Sequence, residues 1–265
     1  MGGLLIVTAM LPSLGCALLT PSNDRDWSPD QAVLSHADFS GHYVKVHNIR
    51  HNHYRTVDNY TAAYDNKTFD LDRLDSVDFI VVPFRDTPQL AHTMLSFGFQ
   101  GRDYLCVSVE IRKERGETFA PLKGMLHQFE IMYVVGDERD LIKLRTNYRL
   151  EDVYVYRARA TPQQVRALFV DVMNRVNKLA VSPEFYDTLT NNCTNNIVRH
   201  INRLVPNRVP WDPRILLPGR SDEYAYQLGL LETDRSFEET KLRARVNYLA
   251  NRYADAPDFS QKIRR

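Results

Sequence analysis

The chain has 265 residues, of which 43% are hydrophobic and 25% charged, with a formal net charge of +1. This is globular-protein composition, and the balanced charge excludes a partner held by a field of one sign, nucleic acid above all. Three cysteines cannot form a disulfide framework, and no C-x-x-C pair among them suggests a zinc centre or a thioredoxin-like couple, so neither a cofactor nor a metal is expected.

Leu4 to Leu19 is an apolar run broken by Pro12, too short to span a bilayer and better suited to the core of a secretory signal. It contains Ser13-Leu14-Gly15-Cys16, which resembles a bacterial lipobox, although Ser stands where Leu is usual and no Lys or Arg precedes the run. Residues 1–20 therefore read as a signal with Cys16 as lipid anchor, which leaves Cys106 and Cys193 for chemistry. Residues 21–40 are polar and read as a tether or irregular lead-in. Tyr43 to Arg50 alternates as a strand does. His42, His47, His51 and His53 crowd this region without interleaved acidic or Cys partners, so a polar surface with partly stacked rings is expected rather than a metal site. Phe69 to Asp75 reads as a polar connection, and Val77 to Phe84 as a buried strand ended by its proline.

Leu90–Phe99 and Tyr104–Arg112 both have strand composition, with a Gln-Gly-Arg-Asp turn between them. Folding the pair about Gly101 sets positions summing to 202 opposite one another, and so places His92 opposite Glu110. Cross-strand partners have Cβ atoms about 5 Å apart. A carboxylate there can hold one imidazole nitrogen, fix the tautomer and leave the other nitrogen as a base. Gly124–Val135 and Leu141–Leu144 read as further short strands around a polar turn at 136–140, and Val153–Arg157 as another. Thr161-Pro162-Gln163-Gln164 is a capping box opening a helix whose buried stripe is Val165, Leu168, Phe169, Val172 and Val176.

A second helix begins at Cys193, inside Thr190-Asn191-Asn192-Cys193-Thr194-Asn195-Asn196. Asn and Thr are good caps, and Ile197, Ile201, Leu204 and Val205 fall on one helical face. At a helix N-terminus the backbone N–H groups and the dipole favour a thiolate. Prolines then punctuate 206–218, a stretch suited to covering the core or lining a groove. Ser236-Phe237-Glu238-Glu239 caps a last helix with a stripe at Leu242, Val246, Leu249 and Tyr253, and the residues from Ala256 are expected to fray.

Cysteine catalysis needs a thiolate, a base and a group to orient the base. Cys193, His92 and Glu110 supply those types. Donors for a developing oxyanion are sought in the Cys193 N–H and the Asn192 or Asn191 side chains, with Arg112 as a further substrate contact. Ala91-His92-Thr93, Leu95-Ser96-Phe97, Ser108 to Arg112, Asp137-Glu138-Arg139, Arg145 to Tyr148, Phe185-Tyr186 and Asn192-Cys193-Thr194, in that order, resemble the N-terminal periplasmic domain of the Lnb family of bacterial lipoprotein N-acyltransferases, over roughly residues 40–215. The resemblance implies a Cys193–His92 catalytic pair. It also implies an α+β fold of the circularly permuted papain-like type, with a small antiparallel sheet packed on helices and Cys at a helix N-terminus.

Residues 41–218 are then the enzyme-like domain and 219–265 a C-terminal helical extension. The full acyltransferases carry membrane-spanning helices after this domain, and no apolar run near 20 residues follows residue 20 here. The expected protein is thus a monomeric, membrane-anchored thiol enzyme of the bacterial envelope acting on an ester or amide: an acyl-lipid, a lipoprotein or a peptide. A cysteine peptidase or peptidoglycan amidase, and a non-catalytic lipoprotein that binds a lipid or partner, stay open beside it.

Overall fold

Two long antiparallel strands, β6 (Leu74–Phe84) and β7 (Thr87–Phe99), form the spine of the structure. A computed structural model describes residues 20–117 and 129–264, so Cys16 and the signal-like run lie outside the described residues. Before the spine come β1 (His36–Ser40), β2 (Tyr43–Arg50), the short pair β3 (His53–Tyr54) and β4 (Tyr60–Thr61), and β5 (Tyr64–Asp70). After it come β8 (Asp103–Arg112), β9 (Glu130–Gly136) and β10 (Tyr154–Arg157). The main sheet runs β1-β2-β9-β8-β7-β6-β10, with β5 paired to β2. It is mixed, because β2 meets β9 in parallel at Arg50↔Gly136 while the other pairings are antiparallel.

Strand alternation divides the core into layers. Odd positions of β7 and β8, such as Leu95, Phe97 and Val107, pack with the stripes of helices α2 (Pro162–Val181) and α3 (Cys193–Leu204). Even positions, Met94 and Cys106, pack on the opposite face with α1 (Glu138–Lys143) and with Val246, Ala250, Phe259 and Ile263 from the end of the chain. The structure is thus α+β, with helices on both faces of the sheet. The capping box of α2 forms as its sequence requires, and its stripe is buried.

Several expectations change. Leu141–Leu144 is helical: Asp137 caps α1 by accepting from the Arg139 N–H, and a π-helical turn, Leu144–Tyr148, continues it. Four apolar residues cannot distinguish strand from helix by periodicity alone; the cap decides it. Phe69–Asp75 holds the end of β5, a 3-10 turn and the start of β6. The 21–40 segment is a packed lead-in and not a loose tether. Trp27 is buried beneath the Arg112 guanidinium, 4.1 Å from the ring, and Gln31 donates to the Ile111 carbonyl at 2.9 Å. The last stripe is broken into two helices, Phe237–Ala244 and Asn247–Arg252, which leaves Leu242 exposed.

The terminus does not fray. Phe259 and Ile263 are buried, and Arg264 binds Glu138 and Asp78. Residues after 218 share the core of the rest. Gly219 lies so close to the Pro88 carbonyl and Gln89 backbone that a Cβ there has no room. Among the histidines, His36 stacks on His47 with centroids 4.3 Å apart and planes 4° from parallel, while His51 meets His53 edge-on. His47 also bonds Asp38 at 2.9 Å. The stacked rings form a polar group on β1 and β2, and one ligand atom each from His36, Asp38 and His47 lies within 4.8 Å of the others, close enough to hold a metal ion.

Candidate active site

The β7–β8 ladder has the register expected from its turn: Phe99↔Asp103 through Met94↔Ser108, each pair summing to 202. It stops at Met94↔Ser108. Beyond that point β7 keeps its partner β6 through Pro83↔Ala91, and β8 keeps β9 through Arg112↔Glu130. The two central strands therefore part within the sheet, and His92 and Glu110 stand on either side of the opening. Their side chains still meet, with His92 Nε2 3.2 Å from Glu110 Oε1.

The N-terminus of α3 reaches this opening from the opposite layer. Cys193 is the first residue of α3, with Asn192 as its cap. Its thiol lies close enough to the His92 ring and to Thr93 for both to act on its charge, and its sulfur is 3.8 Å from the Thr194 hydroxyl. Thr93 and Thr194 hydroxyls, 3.1 Å apart, tie the helix to the strand. His92 Nε2 is occupied by Ser108 Oγ at 2.7 Å and by Glu110, which leaves Nδ1 for the thiol.

The electrostatics favour a thiolate–imidazolium pair. Burial opposes a charge on His92, but the Glu110 carboxylate overcomes both burial and the repulsion of Arg145 and raises the ring to about 9. Burial also opposes the Glu110 charge, yet His92, Arg145 and Ser108 hold that carboxyl well below its usual range. Ser108 donates to Glu110 Oε1 at 2.6 Å and Arg145 donates to the same oxygen at 2.9 Å. Burial by itself would push the Cys193 thiol up; the bond to His92 and its charge, with help from Thr93, bring it down to about 7. The position at the first turn of a helix acts in the same direction. Cys106 differs in kind: burial pushes it well above its usual value, and it sits inert in the core.

The remaining expected site residues do other work. Asn192 accepts from the Asn195 N–H at 2.8 Å and donates to the Thr188 carbonyl at 2.8 Å, while Asn191 donates to the Phe185 carbonyl at 2.8 Å. Each amide group thus directs one of its two N–H donors to main chain. The Cys193 N–H is a first-turn amide without an intrahelical acceptor. Arg112 is turned away from the site, donating to the Gln31 and Ala32 carbonyls and to Asn23 Oδ1, and so fastens the lead-in segment.

Four residues join the site that residue-by-residue reading did not single out: Thr93, Ser108, Arg145 and Tyr186. Ser108 carried a signal, being a polar residue two before Glu110 on the same strand face. Tyr186 lies near both Cys193 and Glu110. Burial and those neighbouring charges push its phenol up, so it keeps its proton and can donate it.

An apolar cavity of about 160 Å³ begins beside the site, at Thr194. Leu95, Leu168, Ile197, Ile201 and Val205 line it, with Val209 and Ile215 from the proline-punctuated stretch. The outer half of the α3 stripe thus faces a groove in place of filled core. Among the described residues no helix is long and apolar enough to cross a membrane.

Nothing matches among curated proteins, and nothing among solved structures. The family model for the Lnb N-terminal periplasmic domain matches residues 60–219, which include every strand and helix that supplies the site. This match, the ordered motifs and the α+β architecture agree: the chain belongs to the Lnb N-terminal periplasmic domain family.

Proposed function

We propose that this protein is a cysteine-dependent acyl-transfer enzyme of the bacterial cell envelope. The observation that carries this reading is the continuous line from Cys193 through His92 to Glu110, braced by Ser108 and Arg145. The Cys193 thiolate attacks the carbonyl carbon of an ester or amide, and the oxygen takes up negative charge facing the Cys193 N–H. His92 gives its proton to the departing alkoxide or amine as the carbon–oxygen or carbon–nitrogen bond breaks. A thioester remains on Cys193. An amine or water then attacks it, and His92 accepts the proton released. Glu110 keeps the ring oriented and favours its charged form. The order of strand-borne His before helix-borne Cys supports a permuted papain-like arrangement.

The groove beside Thr194 favours an apolar acyl group over a peptide. A dry apolar cavity of about 150 Å³ is enough to hold benzene, so this one holds several methylenes of a chain. The periplasmic family supports an envelope location, and Cys16 is proposed as the anchor holding the site near a membrane. The test is trapping of the acyl-enzyme. Mass spectrometry after exposure to an activated ester or to phospholipid should find one acyl group on Cys193, absent from Cys193→Ala. A chain that stays unmodified under both donors would end the reading.

A second result is expected from the groove. Ile201→Trp fills it without touching the thiol. It should lower kcat/KM for a long-chain donor about tenfold or more, the scale of methylene discrimination in an apolar pocket, and leave an acetyl donor unaffected. Equal losses for both donors would show that the groove does not hold the chain.

A further inference from the structure

A line of buried polar side chains runs behind α3. Asp171 of α2 lies 2.6 Å from His200 Nδ1, and His200 Nε2 lies 2.9 Å from the Tyr133 hydroxyl of β9. That hydroxyl is 3.0 Å from Asn196 Oδ1. Asn196 in turn donates through Nδ2 to Asn191 Oδ1 at 3.0 Å and to the Asn192 carbonyl at 2.8 Å. The last bond reaches the reaction centre, because the Asn192 carbonyl and the Cys193 N–H belong to one peptide unit. That unit is planar, so pinning its oxygen fixes the direction of the N–H.

Counting protons along the line exposes a conflict. The Asn192 carbonyl can only accept, so Asn196 must present its NH2 there and its oxygen to Tyr133. Asp171 is ionised, its pKa lowered by His200 and Arg203 against burial, so His200 Nδ1 must carry a proton. Tyr133 has one proton and faces two acceptors, Asn196 Oδ1 and a neutral His200 Nε2. Only a doubly protonated His200 satisfies every member. The groups facing it are Asp171 and Arg175 from α2, Tyr133 from β9, and Arg203 and Arg199 on its own helix. Arg203 bonds Asp171 at 2.8 Å; Arg175 acts on Tyr133 through its charge and pairs with Glu184 at 2.6 Å; Arg199 turns to Asn191 Oδ1 at 3.0 Å. Burial lowers the proton affinity of His200, Asp171 works against that, and Arg203 and Arg175 reinforce it, so the ring ends below its ordinary value.

We propose that Asp171, His200, Tyr133 and Asn196 are positioning residues that aim the Cys193 N–H at the oxyanion, and that a proton on His200 completes the line. The proposal rests on Cys193 acting as the nucleophile. It predicts that acylation gains an advantage on the acid side of neutrality that alkylation does not share, since only acylation builds an oxyanion.

The test uses the full chain with Cys106→Ser to remove the second thiol. Burst acylation by p-nitrophenyl acetate and alkylation by iodoacetamide are followed against pH, each divided by the thiolate fraction. Acylation per thiolate should rise about fivefold as His200 takes its proton, the worth of one net hydrogen bond, while alkylation per thiolate stays flat. Tyr133→Phe keeps the ring in the core, breaks the line, and should remove the step. A step that survives Tyr133→Phe, a step in alkylation as well, or none in the parent protein overturns the proposal.

If Tyr133→Phe does not fold, nitrogen-15 NMR of the parent decides. His200 Nδ1 should stay protonated throughout, Nε2 should gain a proton on acidification, and the Cys193 amide should shift at the same midpoint. Separate midpoints overturn the proposal. A Cys193 that reacts with neither reagent at any pH ends the nucleophile reading instead, and the NMR result still judges the line.

Discussion

His92→Ala is expected to silence Cys193 near neutral pH. With His92 present, the thiol sits at about 7. Without it, burial sets the value, and that lies at or above the free-thiol value of about 8.5. At pH 6 the thiolate fraction then falls from about one in ten to about one in three hundred, so alkylation by iodoacetamide should slow about thirtyfold or more. Turnover should suffer more, by about a hundredfold to ten-thousandfold, because the proton donor to the leaving group is lost as well. Glu110→Gln tests the third member. It removes the charge that outweighs burial and Arg145 at His92, so the ring's pKa falls and the thiolate–imidazolium pair fades at neutral pH. The check is the pH profile of alkylation in the three proteins, with Cys106→Ser in each. A wild-type profile that follows an ordinary free thiol, or one that His92→Ala leaves in place, would defeat the assignment.

Arg264→Ala is expected to produce the largest loss of stability. Arg264 donates to both oxygens of Glu138, at 2.8 and 2.6 Å, and to Asp78 Oδ2 at 2.8 Å, while its guanidinium lies 3.6 Å from the centroid of the Tyr104 ring. Glu138 and Asp78 are both buried. Asp78 retains Arg157, whereas Glu138 is left with Ser96. Stranding a buried charge costs about 3–5 kcal/mol, to be read from the urea midpoint.

The pH dependence carries a sign. Burial opposes the Glu138 charge, and Arg264 overrides it, so in the wild type this carboxyl is lowered. Its contribution is present above the unfolded glutamate value, about 4.3, and is lost as the pH falls below it. In Arg264→Ala the burial term stands alone and the folded pKa is raised. The deficit should therefore grow as pH rises through the carboxylate range and shrink in acid. An equal deficit at both ends would show that Arg264 contributes packing on Tyr104 and little charge compensation.

Much of the site could be read before any folding. A turn centred on Gly101 and strict alternation of side chains set one register for β7 and β8, and this register leads His92 toward Glu110. Capping boxes at Thr161, Asn192 and Ser236 are local chemistry, complete within four residues, and they place Cys193 on the first turn of its helix. Local reading failed where a segment takes its conformation from distant partners. Leu141–Leu144 is too short to carry a period, and the chain after Ala256 looks polar until Phe259 and Ile263 find the far side of the sheet. Nothing local reveals that Asn191 and Asn192 each direct an amide N–H to the Phe185 and Thr188 carbonyls.

The sequence by itself determined which groups exist and which local geometry each obeys: a thiol on a helix N-terminus, an imidazole and a carboxylate on facing strands, and a nearly balanced net charge. Only the tertiary structure decided that these meet. The β7–β8 ladder ends at Met94↔Ser108, the sheet opens there, and α3 brings its sulfur to a histidine from the opposite layer. Hydrogen-bond patterns within a hairpin are set by neighbours a few residues apart, whereas the parting of two strands is set by what packs against them, here by elements about a hundred residues away in sequence.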